Sequence, residues 1–382
     1  MKKILVVMNL NMKRLDSWIE FNRAFVKEGG SRGYSIEYLL PSEPCEEVKK
    51  FFDGSGFKAH VFTGWNSSSG KQHDLKLGFK CWQLMRQENH NLVTFHFCDE
   101  ISVLFFIFLS FMTLKLPQIV WHQHSNITAL PPGSGLKKAL SKLRILSLLV
   151  DHVCPVFEKQ KQILIGRGIK PKRITAIYNG ISPQRFQTEF DHTAYRKSLN
   201  LNDNHKVIIT IGSLIERKRI DLFIKAAADV VKKDKDTIFL IVGEGELLKS
   251  LEKLVTDLDL NNHVHFLGRR SDVDKLLRIS DIYVLCSSAE GFPLSNIEAC
   301  ASKTLVISTD VSGVSELIKD GETGFLIKPG DAQELSEKIL LALQNPLKAK
   351  EIAAEGQRVV FERFTLEKMV HTYFVLYWKL LK

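Results

Sequence analysis

No Cys-x-x-Cys pair occurs among the six cysteines of this 382-residue chain, which are scattered at 45, 81, 98, 154, 286 and 300. That spacing fits neither a zinc site nor a disulfide framework, and it points to a reducing compartment. Long hydrophobic runs are also missing. The longest, residues 101–114, is interrupted by hydroxyl residues and falls short of the roughly 18–20 residues that a bilayer crossing needs. It reads as a buried core helix, with an interfacial segment as the alternative. Low-complexity tracts and solenoid-length repeats are absent. The opening MKKILVVMNL has the two lysines of a signal peptide. Its apolar run ends quickly at Asn9-Leu10-Asn11 without a small-residue cleavage site, so it reads as a first buried strand.

Acidic residues are scarce in one half only. Residues 1–180 hold 25 Lys+Arg against 14 Asp+Glu, whereas the remainder hold 28 against 29. Residues 101–150 contain five basic residues and no acidic one. The overall charge of +10 therefore belongs to the first half, where an anionic surface or substrate is expected. The basic residues are not interleaved with aromatics and no nucleic-acid motif is visible, so no nucleic-acid partner is expected. Residues 136–150 form a basic amphipathic pattern that fits either a helix lying on anionic lipid or a domain helix with solvated lysines.

Short apolar, β-branched runs alternate with helical patterns throughout. Strands are expected at 4–8, 35–39, 59–62, 92–97, 118–122, 152–155 and 174–178, then at 207–211, 237–242, 264–267, 282–285, 304–308 and 324–327. Continuous apolar strands separated by helices predict parallel sheets covered on both faces. A polar break after Tyr178, at Asn179-Gly180 and Pro183, divides the two series. The expected fold class is therefore α/β, with two doubly wound domains whose ligands bind beyond the carboxyl ends of the strands. Residues 361–382 carry apolar side chains at helical spacing and are expected to form a C-terminal helix packing back onto the first domain.

Three stretches carry chemistry. In VIITIGSLIERKRIDLFIKAA, a strand ends at Gly212 and a loop bearing Glu216-Arg217-Lys218-Arg219 leads into a helix. Loop amides, a helix start and cations can together hold a diphosphate, although ERKR alone also fits a solvated loop. After the strand at 237–242, Gly243-Glu244-Gly245 permits close backbone approach but lacks the third glycine of a dinucleotide fingerprint. In DIYVLCSSAEGFPLSNIEACA, Glu290 stands at a loop tip, Pro293 suits the first turn of a helix, and Glu298 follows on the second turn. Two carboxylates around a helix start suit a sugar diphosphate, whose hydroxyls pair with carboxylates and whose charge favours the positive helix end. The same spacing also fits an ordinary helix start with an exposed glutamate.

Taken with Asp151-His152-Val153, Ile177-Tyr178-Asn179-Gly180-Ile181, Phe266-Leu267-Gly268-Arg269 and Ser308-Thr309-Asp310, these stretches resemble, in order, the retaining glycosyltransferases of the GT-B fold. The resemblance runs from about residue 147 to the C-terminus. It implies two Rossmann-like domains with the active site in the cleft between them: 1–185 for the acceptor, 186–360 for the sugar nucleotide, and 361–382 as the returning helix. By the resemblance, Lys218 is the diphosphate-binding lysine, Glu290 holds a hydroxyl of the transferred sugar, and Glu298 takes the ribose hydroxyls. Gly212, Ser213 and Gly243 belong to the donor loops, the amides of Gly291, Phe292 and Leu294 face sugar and phosphate, and Leu267 to Arg269 reads the base.

The chain departs from the family pattern in two places. Ser213 stands where the family often has an arginine, leaving Arg217 or Arg219 as the second cation. Asn9 and Asn11 occupy the position of a glycine pair near the donor phosphate. Trp121-His122-Gln123-His124 resembles the loop carrying an active-site histidine, with His124 favoured over His122. A His-x-His pair also fits a metal site, but no third ligand has suitable spacing. His96 reads as a core histidine.

Asp-x-Asp occurs at Asp234, Asp257 and Asp272, in helix-like sequence rather than after a strand, so no essential metal and no cofactor beyond the nucleotide-sugar co-substrate is expected. The implied activity is retaining transfer from a nucleoside-diphosphate sugar, UDP-linked, to a glycan or lipid-linked glycan of bacterial surface polysaccharide. Its implied location is cytoplasmic, peripheral to the inner face of the membrane. A sugar-nucleotide epimerase of the same fold, a soluble synthase acting on a free sugar or sugar phosphate, and a non-catalytic scaffold are the alternatives.

Overall fold

The computed structural model describes residues 1–8, 16–40, 50, 58–62, 75–96, 98, 100–114, 116–124, 149–166 and 168–382. The chain forms two compact units, one of Met1–Tyr178 with Leu366–Lys382, the other of Asn179–Thr365.

In the first unit the described elements are β1 (Lys2–Met8), α1 (Asp16–Ser31), β2 (Tyr34–Leu40), β3 (Lys58–Val61), α2 (Leu75–Glu88), β4 (Leu92–His96), α3 (Glu100–Met112), β5 (Gln118–Gln123), β6 (His152–Pro155) and α4 (Glu158–Gly166). Its sheet is parallel, in the order β3-β2-β1-β4-β5-β6. The opening residues form β1, buried from Ile4 to Met8, because apolar side chains on both sheet faces are covered by helices.

The second unit contains α5 (His192–Ser198), β7 (Lys206–Ile211), α6 (Ile220–Lys233), β8 (Thr237–Val242), α7 (Leu248–Asp257), β9 (Val264–Gly268), α8 (Val273–Arg278), β10 (Ile282–Leu285), α9 (Leu294–Ala301), β11 (Leu305–Thr309), β12 (Phe325–Ile327), α10 (Ala332–Gln344) and α11 (Pro346–Arg363). Its parallel sheet runs β12-β11-β10-β7-β8-β9, which repeats the order of the first when each is read by its own sequence. The direction of winding therefore reverses between β1 and β4 in one unit and between β7 and β10 in the other. At such switch points the loops leaving adjacent strands diverge and open a crevice.

One expected strand fails to form. Residues 174–178 run beside β6, with Thr175 N donating to Val153 O and Ile177 N donating to Pro155 O, but only a single bridge, Val153 to Ile174, results. The return bond to the next carbonyl would have to come from the N–H of residue 155, and proline has none.

The expected C-terminal helix also begins later. Phe361 still belongs to α11, the chain breaks at Phe364-Thr365, and α12 (Leu366–Leu380) then joins the first unit against α1. Phe374 lies 4.8 Å from the ring of Phe25, and Tyr373 meets Phe25 edge-on at 5.7 Å.

The apolar run at 101–114 is neither wholly buried nor wholly exposed. On α3, Val103, Phe106 and Ile107 enter the core while Phe108, Phe111 and Met112 face solvent. No described helix is long and apolar enough to cross a membrane. The basic segment 136–150 lies, but for its last two residues, outside the described residues, as do Asn9 and Asn11.

Candidate active site

The loops leaving β7 and β10, on either side of the second unit's switch point, are tied together by their backbones. Ser288 N donates to Arg217 O at 2.9 Å, and the Arg217 guanidinium returns a bond to Ala289 O at 2.7 Å. This join delivers Lys218 Nζ to within 2.7 Å of Glu290 Oε1, and Arg217 Nη1 to within 2.9 Å of the same oxygen. At the loop tip expected from sequence, Glu290 is buried, with 9% of its surface accessible. Burial works against its charge, and the neighbouring Lys218 and Arg217 outweigh burial, so the carboxyl titrates below the ordinary glutamate range.

Of the two arginines considered for the second cation, Arg217 is the one at this carboxylate. Arg219 turns away into a two-pronged pair with Asp221, both bonds at 2.9 Å, and holds a left-handed backbone (φ 50°) where the chain enters α6.

The glycines shape these loops. A Cβ on Gly212 would meet Lys218 Cε at 3.3 Å, so the lysine lies flat across the strand end. Gly243, at φ +144°, presses on Gly212, where a Cβ would stand 1.9 Å from Gly212 O; a Cβ on Gly245 would stand 2.3 Å from Leu214 O. The Gly-x-Gly thus packs the β8 loop onto the β7 loop rather than forming a dinucleotide turn. Ser213 lies in that loop, its carbonyl accepting from Ile215 N. Leu267 and Arg269 flank Gly268 at the end of β9, one on the strand and one just past it.

Pro293 is the residue immediately before α9, outside the first turn in which it was expected, and Leu294 opens the helix. Gly291 and Phe292 precede it: Gly291 O accepts from Gly313 N, and the Phe292 ring packs 5.0 Å from Phe364. Glu298 is buried on α9 and pairs with Arg185 Nη1 at 3.1 Å, while Arg185 Nε lies 3.7 Å from Asp274.

Two residues that sequence reasoning left out of the site now join it. Arg185 comes from a 3-10 turn at Pro183–Phe186, and Asn179 donates from Nδ2 to Phe292 O at 2.7 Å. Asn179 stood in the polar break and in the Ile177–Ile181 motif without a role of its own, and Arg185 had no signal beyond following that break.

The histidines occupy the corresponding edge of the first unit. His96 ends β4 opposite His122 in register, and the rings stack at 4.0 Å with an 11° tilt. His96 Nδ1 lies 3.2 Å from His124 Nε2. Burial holds all three rings neutral at ordinary pH, with His124 pushed down to about 3 and His96 and His122 well below the usual value. Among the described residues no group of three His, Cys, Asp or Glu side chains could hold a metal ion. Of the Asp-x-Asp pairs, Asp234 and Asp257 sit at helix ends, and Asp272 is engaged by Arg270 and Tyr195.

Two doubly wound units with a basic, carboxylate-bearing crevice at a switch point define a two-domain α/β protein of the GT-B fold. The chain belongs to the group 1 glycosyltransferases: residues 191–359 match the family described as Glycosyl transferases group 1, and residues 22–185 match Glycosyltransferase Family 4. It is 25% identical over 357 residues, 93% of this chain and 92% of the other, to N-acetyl-alpha-D-glucosaminyl L-malate synthase of Bacillus anthracis. It is 32% identical over 264 residues, 68% of this chain and 67% of the other, to the UDP-Gal:alpha-D-GlcNAc-diphosphoundecaprenol alpha-1,3-galactosyltransferase of Escherichia coli. The crystal structure of Anabaena HepE in complex with UDP superposes with a TM-score of 0.80 at 21% identity, covering 99% of this chain and 100% of that one.

Proposed function

We propose that this glycosyltransferase moves a sugar, with retention of configuration, from a UDP-linked donor to a glycan or lipid-linked glycan acceptor of a bacterial surface polysaccharide. The observation that carries the reading is the junction of Lys218 and Arg217 on Glu290 at the switch point of the second unit. Two cations there can share themselves between the carboxylate and an incoming diphosphate, and so stabilise the leaving nucleoside diphosphate without a divalent metal. Glu290 then takes a sugar hydroxyl, Glu298 the ribose, and the start of α9 faces the phosphates. No side chain is assigned as a covalent nucleophile. The leaving phosphate takes the acceptor's proton as the acceptor enters on the same face. The relatives' printed donors and acceptors, galactose from UDP and a diphosphoundecaprenol-linked sugar among them, support the class of substrate.

A thermal-shift panel of nucleoside diphosphates and sugar nucleotides tests this. UDP and one UDP-sugar should raise the melting temperature well above GDP or ADP. A panel with no uridine preference removes the donor assignment. Turnover of the donor without any acceptor would make the protein an epimerase instead.

The acceptor side is drawn from the first unit. On α3, Phe108, Phe111 and Met112 are more than half exposed, and Phe105, one turn before Phe108, lines a groove with Leu75, Phe79, Lys76 and Lys80 of α2. Gly78 lets the two helices touch, because a Cβ there would stand 2.7 Å from Ser102 O. Large apolar side chains edged by lysines, on helices unable to cross a bilayer, suit the surface of an anionic membrane and support a peripheral position at its inner face. Vesicles containing phosphatidylglycerol should co-float with the protein and neutral vesicles should not. Phe108→Ser with Phe111→Ser should abolish flotation, and binding indifferent to both changes would overturn the assignment.

A further inference from the structure

A row of buried polar side chains in the first unit ends on His124. Tyr377 Oη, on α12, lies 3.2 Å from Thr94 Oγ1 on β4. Thr94 Oγ1 lies 3.3 Å from His96 Nε2, and His96 Nδ1 lies 3.2 Å from His124 Nε2. Tyr377, Thr94 and His96 are each fully buried. Around the Tyr377 ring stand Phe25, Phe374 and Tyr373 at 6.1, 5.9 and 6.1 Å, an aromatic setting in which phenylalanine would fill the same space. The hydroxyl is the atom that needs explaining.

A hydroxyl has one hydrogen and two lone pairs and a neutral imidazole one hydrogen, so the row can run either way or Thr94 can accept from both neighbours, an arrangement that among the described residues would leave its own buried hydrogen without an acceptor. Among the described residues, Thr94 Oγ1 is the hydrogen-bond partner of the Tyr377 hydroxyl. If the row ran from His124 towards α12, the tyrosine hydrogen would be buried with no acceptor, an arrangement that folded cores avoid. Tyr377 therefore donates to Thr94, and Thr94 donates to His96 Nε2. His96, kept neutral by burial, carries its hydrogen on Nδ1 and donates it to His124 Nε2. His122, stacked beside His96, is outside the row: among the described residues its Nε2 has no hydrogen-bond partner.

We propose that Tyr377 is a positioning residue for His124: acting through Thr94 and His96, it holds His124 as the imidazole that carries its hydrogen on Nδ1. The C-terminal helix thereby selects which nitrogen of that ring can donate and which accepts. The effect on catalysis rests on the reading of His124 as an active-site residue, whereas the tautomer does not.

The test uses the full chain labelled with 15N-histidine, with the His124 signals assigned by His124→Gln. The nitrogen shifts of neutral imidazole separate the two tautomers. Wild type should show one tautomer at His124, with Nδ1 protonated. Tyr377→Phe and Thr94→Val should each produce a mixture, and Thr94→Ser, which keeps the hydroxyl, should restore the single form. With a UDP-sugar donor, kcat should fall roughly tenfold in Tyr377→Phe while KM stays near wild type. An unchanged single tautomer in both Tyr377→Phe and Thr94→Val would overturn the proposal. A shifted tautomer with unchanged turnover would uphold the relay and remove His124 from the reaction.

Discussion

Lys218 and Glu290 stand 72 residues apart in the chain, and their charged groups meet at 2.7 Å across the switch point of the second sheet. Both side chains are largely shielded, so the pair is held in a setting where its charges interact strongly. Removing one partner leaves the other charge in place. Lys218→Ala should lower stability by about 3 kcal/mol, the lower end of the range for broken buried pairs because Arg217 remains, and should abolish transfer. Urea melts and a donor-turnover assay check the two effects separately.

The same pair sets a pH dependence. The Glu290 carboxyl titrates lower when folded than when unfolded, so the unfolded chain takes up its proton first as acid is added. Its stabilisation is complete above the ordinary carboxyl range and is lost as pH falls through the depressed folded value. The gap in melting temperature between wild type and Glu290→Gln should therefore be widest near neutrality and close as pH falls through the depressed folded value.

The histidines of the first unit impose a second limit at higher pH. Burial depresses His124 to about 3, and burial with Arg173 and Lys379 depresses His152 to about 4. These groups are neutral when folded and become protonated in the unfolded chain below about pH 6.5. Stability should be full above that value and fall steadily as pH drops towards the folded values. His152→Gln should flatten the slope of melting temperature against pH between about 6.5 and 4. An unaltered slope would mean that His152 does not contribute.

The glycines separate folding from binding. Gly243→Ala places a Cβ 1.9 Å from a carbonyl oxygen in a left-handed backbone, and Gly245→Ala one 2.3 Å from another. Each should cost about 2 kcal/mol or more in chemical denaturation. Gly212→Ala meets only the flexible stem of Lys218, at 3.3 Å. It should melt near the wild-type temperature and yet bind UDP severalfold more weakly in calorimetry.

The returning helix should prove part of the first unit's core. Phe374 is fully buried between Phe25 and Tyr377, and Phe374→Ala should cost roughly 3–5 kcal/mol in urea denaturation.

By itself the sequence determined the alternation of strand and helix, because apolar runs such as Ile4 to Met8 and Thr237 to Val242 can only be satisfied by burial on both faces. It also determined the residue types of the candidate site, since Lys218, Glu290 and Glu298 stand in motifs legible along the chain. Only the tertiary structure decided their partners. Whether Arg217 or Arg219 joins Glu290 depends on backbone bonds between two loops about seventy residues apart, and no local pattern records them. The missing strand at 174–178 turned on a proline in a different segment, Pro155, which has no N–H to return. Asn179 and Arg185 were invisible as site residues because the groups they hold, Phe292 O and Glu298, lie 113 residues away in each case. The hydrogen on His124 depends on Tyr377, on a helix that a linear reading places at the far end of the chain. Pattern and propensity are local and so can be read in order. Pairing is a contact between distant segments, and it exists only once each unit has folded and brought those segments together.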